Sequence, residues 1–263
     1  MGDVNRRGLI AGTTSAAVIW ASDSASSHAA EAPGDRAHGS NPLFPAGRLH
    51  VLGFLMRDTG QDLQVLIDWY ENIHSVNARY IWPFMTRYAR NYITKVEEGP
   101  KPPYRVLTEF DWKDEAGKAQ ARALLEAHGG QALESERRGP ALAWLTDIYA
   151  LLVPAEPTRF GAVPPPRDPT KPVPGRALLL RRAPAASQER FEAAVRDAAT
   201  RIAALAPDVE VTADLIPGPR TSPDQPDAVI LARHAPAGEL PRPDAAACEV
   251  MNLFAIETRG SPV

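Results

Sequence analysis

Eight prolines fall between residues 154 and 175: Pro154, Pro157, Pro164, Pro165, Pro166, Pro169, Pro172 and Pro174. Proline fixes φ and has no amide hydrogen, so a run this dense suits neither a helix interior nor the middle of a sheet. It favours extended backbone and a semi-rigid spacer. Residues 156–175 are therefore read as a linker between two halves, each near the roughly 100 residues of a small domain.

Both halves can build a core, because 44% of the 263 residues are hydrophobic and 23% are charged, a balance unlike that of disordered chains. Lys and Arg number 29 against 32 Asp and Glu, a formal charge of −3. That balance lacks the electrostatic footprint of a nucleic-acid binder, and no nucleic-acid partner is expected. Cys248 is the only cysteine, which excludes an internal disulfide, a thiolate zinc site and an iron–sulfur cluster. A buried, inert thiol is its expected state.

The first 30 residues read as an address. Arg6-Arg7 precede Leu9-Ile10 and a weakly apolar run to Trp20, and small residues surround Ser27-His28-Ala29-Ala30. This resembles a twin-arginine export signal with cleavage after Ala29 or Ala30, which implies a periplasmic or secreted protein. The run from Gly8 to Ala21 is shorter than the roughly 20 apolar residues of a membrane span, and no span is expected in the mature chain. Residues 31–47 read as a flexible leader.

Hydrophobic periodicity then supplies the elements. Residues 49–56 are apolar on both alternating faces, as in a strand covered on both sides. Leu63, Leu66, Ile67, Tyr70 and His74 recur at steps of three and four, which predicts a helix over 62–74. A second helical stretch is expected over 77–90, kinked or restarted at Pro83, followed by a strand at 91–96. Residues 104–112 alternate at period two. A helix is predicted from Glu115 to Ala127, capped by Gly129-Gly130, and a strand over 144–153. This order, β-α-β-β-α-β, is that of a ferredoxin-like unit spanning 48–155. Residues 176–263 repeat it in shorter form, with strands at 177–182, 209–216, 227–234 and 251–258, a helix at 187–206 and a last helix reduced to about 243–250. The fold class is α+β, with two ferredoxin-like units fused in one chain. A four-stranded sheet with helices on one face leaves its other face apolar, and two such sheets can cover each other.

Asp68-Trp69-Tyr70-Glu71-Asn72-Ile73-His74, followed by Tyr88-Ala89-Arg90-Asn91-Tyr92-Ile93, resembles the EthD family of the dimeric α/β-barrel superfamily, over residues 49–155. The matching points are Trp69, His74, Tyr88 and Asn91. The resemblance implies two facing sheets closing a barrel, here as an internal pseudo-dimer that is open to further homo-oligomerisation. It also implies cofactor-free acid–base chemistry of isomerase, dehydratase or cyclase type on a small cyclic or aromatic molecule, or non-catalytic ligand binding. His74 would move the proton and Tyr88 or Asn91 would polarise a carbonyl. Trp69 and Tyr70 would shape the pocket, and His50 and Glu109 could enter the barrel interior beside His74. In the second half the counterpart of His74 falls near Ala199, which has no proton to move.

An imidazole of ordinary pKa, about 6.5, suits acid–base work near neutral pH, but a helix-end histidine can equally satisfy a carbonyl. Trp69 and Tyr70 are adjacent and face different ways on an α-helix, so only Tyr70 shares the stripe of His74. Both aromatic rings also suit plain core packing. Tyr88 and Asn91 could bind a carbonyl or simply finish a helix. Arg79 and Arg90 read as a solvated helix face, with carboxylate binding as the rival reading. Glu109 could instead point outward and pair with Arg105. No GxSxG turn, glycine-rich phosphate loop, HExxH or EF-hand loop is present. No cofactor or metal is expected. Related barrels can hold haem, for which His74 or His50 would be the ligand.

Overall fold

The computed structural model describes residues 42–57, 60, 62–137, 150–161, 168, 171–236 and 238–260. The export segment, most of the leader, and residues 144–149 lie outside them. Nine strands form one antiparallel sheet: β1 (His50–Arg57), β2 (Met85–Glu98), β3 (Tyr104–Trp112), β4 (Ala150–Pro154), β5 (Glu156–Phe160), β6 (Val173–Arg182), β7 (Glu210–Leu215), β8 (Ala228–Arg233) and β9 (Cys248–Gly260). Among the described residues three longer helical elements flank it: α1 (Leu63–Trp69), α2 (Glu115–Arg137) and α3 (Gln188–Ala203).

The strand order is β4-β1-β3-β2-β9-β6-β8-β7-β5. Its first four members and the next four, β9-β6-β8-β7, repeat one pattern, in which the unit's last strand lies beside its first, then its third, then its second. This is the order of a ferredoxin-like unit, present twice. The last strand of each unit also reaches the other unit. β9 pairs with β2 from Ala89↔Gly260 to Glu98↔Leu253. β5 pairs with β7 and is separated from β4 by Ala155 alone. The two outermost strands of the sheet are therefore consecutive in sequence, and the sheet curls into a nearly closed barrel.

Alternation along each strand sorts the side chains into layers. On β1, Val51 and Leu55 join the core beneath α1 and α2, whereas Leu52 and Phe54 face the lumen. In the second unit Leu178 and Leu180 pack with Phe191, Val195 and Ile202 of α3, whereas Ala177 and Leu179 turn inward. Leu52, Phe54, Leu107, Leu179, Leu231, Phe254 and Ile256 meet inside the barrel. Each such side chain contributes about 1.5–3 kcal/mol on burial, which makes the lumen core the apolar bond between the units.

Several elements differ from the sequence reading. The helix expected over 77–90 is a 3-10 turn, Arg79–Phe84, containing Pro83, and β2 begins at Met85. Tyr88 and Tyr92 pack on one face of β2 and Ile93 on the other, and a strand serves two apolar faces where a one-sided helix cannot. α2 does not stop at Gly129-Gly130 but runs to Arg137, carried by the helix formers beyond them. The helix expected near 243–250 is replaced by a turn, in which Ala247 and Cys248 amides bond to Asp244 O, and β9 begins at once.

Pro154, at the edge of the expected linker, and Pro157 and Pro174 within it lie in strands. Pro154 and Pro157 are in β4 and β5, each hydrogen-bonded on one side only, and Pro174 precedes Gly175, where the β6–β8 pairing begins. Edge strands and strand starts are where proline is tolerated.

Candidate functional site

The Trp69–His74 motif adopts an unusual backbone. Asp62 caps α1, its side chain accepting from the amides of Gln64 (2.8 Å) and Val65 (3.3 Å). The helix then widens into a π-turn over Tyr70–His74. The Ser75 amide reaches back five residues to Tyr70 O, and the Ser75 hydroxyl takes the carbonyl left free four residues back, that of Glu71, at 3.0 Å. In a π-turn, residues five apart align. His74 therefore stacks on Trp69, with ring centroids 5.2 Å apart, and meets Tyr70 edge-on at 4.6 Å. This corrects the helical reading, in which Trp69 faced away from His74.

Beneath this turn lies the helix-facing side of β2. Glu71 is held by Arg90, whose Nε donates to Oε1 at 2.9 Å while Nη2 donates to Oε2, and the Tyr92 hydroxyl donates to the same carboxylate. Arg90 is 2% exposed. It also donates to Tyr88 O (3.3 Å) and to Gly260 O at the end of β9 (3.1 Å), and its guanidinium lies 4.7 Å from the centre of the Tyr88 ring. The reading of Arg90 as a solvated helix residue is thus overturned. On a buried strand its charge needs a bidentate partner, and Glu71 supplies it. Burial, followed by the neighbouring Tyr88 and Tyr92, pushes the Tyr70 phenol well above its ordinary value. Burial and the Glu71 carboxylate do the same to Tyr92. Both phenols remain protonated donors at neutral pH. Tyr88 completes the layer, stacked on Phe110 at 5.3 Å.

Three of the sequence-selected residues face the other way. Asn91 follows Arg90 on β2, so it turns into the lumen, where Nδ2 donates to Leu107 O (2.9 Å) and Oδ1 accepts from Thr258 Oγ1 (2.7 Å) and Arg233 Nη2 (3.3 Å). Glu109 is 2% exposed, accepts from Arg233 Nη2 at 2.6 and 2.9 Å, and lies 2.7 Å from Arg87 Nε. Its partners are these two arginines, not an outward Arg105. Arg87 and Arg233 also hold Glu210, at 3.1 and 3.2 Å. His50 lies between Asp111, bonded to Nδ1, and Asp214, 3.1 Å from Nε2. His50 and Glu109 do enter the barrel, but the sheet separates them from the π-turn carrying His74.

The lumen groups are electrostatically matched. Burial alone would raise the Glu109 carboxyl, yet Arg233, Arg87 and protonated His50 hold it down at about 2. Burial alone would lower His50, yet Asp111 and Asp214 raise it to about 10. Asp214 is raised, because its complete burial outweighs the His50 contact. With both nitrogens of His50 beside carboxylates, this imidazole serves as a cross-link between units rather than as a free base.

Sequence reasoning missed Glu71, Arg87, Arg233 and Asp214 as members of these two clusters. The available signal was parity: on β2, Arg87, Asn91 and Ile93 alternate with Tyr88, Arg90 and Tyr92, so polar groups occur on both faces of a covered strand. Cys248 is buried, and burial pushes its thiol up to about 11. Among the described residues no cluster of three or more His, Cys, Asp or Glu is arranged to hold a metal ion, and no helix is long and apolar enough to cross a membrane.

Strand order and the two-sided sheet define the class: an α+β barrel made within one chain from two ferredoxin-like units, the arrangement of the dimeric α/β-barrel proteins. No family model and no curated protein matches the sequence. Among solved structures the chain is similar to an anthrone oxidase-like protein, with 15% identity and a TM-score of 0.40 over 82% of this chain and 94% of that one. It is also similar to a provisionally assigned chlorite dismutase, with 8% identity and a TM-score of 0.39 over 81% of this chain and 94% of that one.

Proposed function

We propose that this chain is an exported, EthD-like protein that takes a small cyclic or aromatic molecule on the helix side of its first unit, where His74 performs cofactor-free proton transfer. The observation that carries the reading is the π-turn. It departs from the α-helix over the five residues ending at His74, and such turns recur at functional sites. It aligns an imidazole with Trp69 and Tyr70, above Tyr88 and a Glu71–Arg90–Tyr92 network that fixes its backbone.

In the reaction His74 removes a proton from carbon next to a carbonyl, a Tyr88 or Tyr70 hydroxyl hydrogen-bonds the carbonyl oxygen as negative charge develops, and His74 returns the proton to another carbon. The net change is an isomerisation, with no oxidant or metal required. Asn91 lies across the sheet and has no part in this scheme.

His74→Gln is the test. Loss of turnover on a cyclic ketone panel with ligand affinity retained supports the scheme, whereas a change confined to melting temperature refutes catalysis. The second reading, ligand binding without chemistry, is favoured by the burial of His74, 2% exposed and in contact with two aromatic rings. It predicts unchanged affinity and no turnover in either protein.

Export through the twin-arginine route is part of the proposal and rests on Arg6-Arg7. Replacing both with Lys is expected to leave the full-length chain in the cytoplasmic fraction. Unchanged export of that variant would refute the route.

A further inference from the structure

At the end of the barrel remote from the His50 and Glu109 network, the β2–β3 hairpin, the end of β6 and the start of β9 enclose an open groove of about 400 Å³. Pro102, Pro103 and Tyr104 of the hairpin, Arg181 of β6 and Met251 of β9 line it. The volume is within the range of small-molecule sites. Pairing explains why it is open. β2 ends at Glu98, close to its Leu253 partnership, so the β9 residues before Leu253 pair with β6 alone.

Arg181 is unusual among the described arginines. It is half-buried, and its one hydrogen bond is from Nη2 to the Pro223 carbonyl at 2.7 Å. Its Nε is buried without a partner. Among the described residues Arg87, Arg90, Arg176 and Arg233, partly or fully buried, each meet a carboxylate. Glu249 stands directly across the ladder from Arg181, yet forms no ion pair with it. A buried guanidinium N–H left unbonded is costly, and a planar carboxylate is the group its fork best accommodates.

We propose that this groove is a binding site for a small organic carboxylate, with the anion on Arg181 and an apolar body between Pro102, Pro103 and Met251. The site is independent of the helix-side reading. Glu249, Asp224 and Lys101 also line it. The Glu249 charge opposes an incoming anion and sets a modest affinity.

The test uses the full chain with 13C-labelled methionine methyls, titrated with phenylacetate and, separately, with phenylacetamide. Phenylacetate is expected to shift Met251 with a Kd of about 1–10 mM, the scale of a ten-atom fragment at drug-like efficiency. Arg181→Gln should weaken it at least tenfold, by removing the charged partner. Glu249→Gln, which leaves Arg181 intact, should tighten it two- to threefold. An equal response to phenylacetamide, an unchanged Kd in Arg181→Gln, or shifts at Met85 without Met251 would overturn the proposal. The last result would place the ligand in the helix-side core, to which Met85 belongs. A melting curve of Arg181→Gln that matches the parent excludes unfolding as the cause of lost binding.

Discussion

Glu109→Gln is the sharpest probe of how the two units hold together. Glu109 belongs to the first unit and Arg233 to the second, their contacts are 2.6 and 2.9 Å, and both side chains are nearly solvent-free. The substitution keeps the shape and removes the charge, leaving Arg233 with Glu210 and the Asn91 oxygen, and Arg87 with Glu210. Losing one partner of a buried pair costs about 3–5 kcal/mol. The depression of the same carboxyl by its arginines implies a similar figure. A carboxyl held at about 2 against an ordinary 4.5 contributes about 3 kcal/mol when ionised. For a chain of this size, a loss of 3–5 kcal/mol lowers the melting temperature by about 6–20 °C. Circular dichroism melts and urea titrations at pH 7 read the effect. The double variant Glu109→Met, Arg233→Met removes one charge of each sign and leaves Arg87 with Glu210, so it should recover most of the loss. A Glu109→Gln melt within 2 °C of the parent would refute the reasoning.

The same layer sets the pH dependence. The lowered Glu109 group stabilises fully above 4.5, and that stability is lost as pH falls from 4.5 toward 2. The raised His50 group stabilises fully below 6.5, and its share is lost as pH rises from 6.5 through about 10. Melting temperature should therefore plateau between about pH 4.5 and 6.5; a maximum above pH 8 contradicts the His50 assignment, and stability unchanged from pH 4.5 down to 2 contradicts that of Glu109. NMR of the His50 ring should show imidazolium at pH 8, and a midpoint near 6.5 would show that the two aspartates do not hold it. Asp214→Asn should lower the His50 midpoint while destabilising less than Glu109→Gln, because Asp214 is itself raised by burial; a larger loss than Glu109→Gln would reverse that ranking. Gly99 has φ +89°, and an added Cβ would lie 2.2 Å from Met251 O, so Gly99→Ala should cost about 1–3 kcal/mol in urea denaturation, and a neutral result would mean that the hairpin relocates.

Much of the architecture was legible because it is written at short range. β3 spans the stretch picked out by period-two alternation, and α3 begins after Ser187, whose hydroxyl accepts from the Arg190 amide at 3.2 Å. Mixed signals were harder. The 85–90 stretch carries apolar residues at spacings compatible with a helix, and its inclusion in β2 follows from two covered faces, a property of the assembled sheet. The π-turn was illegible for a related reason. The Tyr70 to His74 step fits an α-helical stripe, and the extra width depends on Ser75 bonding twice and on Arg90, 19 residues away, holding Glu71. In the lumen, Glu109 and Arg233 are 124 positions apart and His50 and Asp214 still further. A polar residue on a covered strand announces that a partner exists, but only the closed sheet identifies it.

The parity of β2 gives this separation its functional meaning. Arg87, Ala89 and Asn91 point toward the other unit, whereas Tyr88, Arg90 and Tyr92 point toward the π-turn, so one strand serves two tasks and of these six residues shares only Arg90. Substitutions on the lumen side should therefore act on the pairing of the units, and those on the helix side on the binding proposed for the His74 layer. Arg90 is the exception, since it joins Glu71 of the π-turn to Gly260 of the second unit. Arg90→Met would cut both ties at once, and it should lower melting temperature and helix-side ligand affinity together. If Asn91→Ala instead changed ligand affinity without changing stability, the division between the two faces would be wrong, and the site would have to be sought inside the barrel.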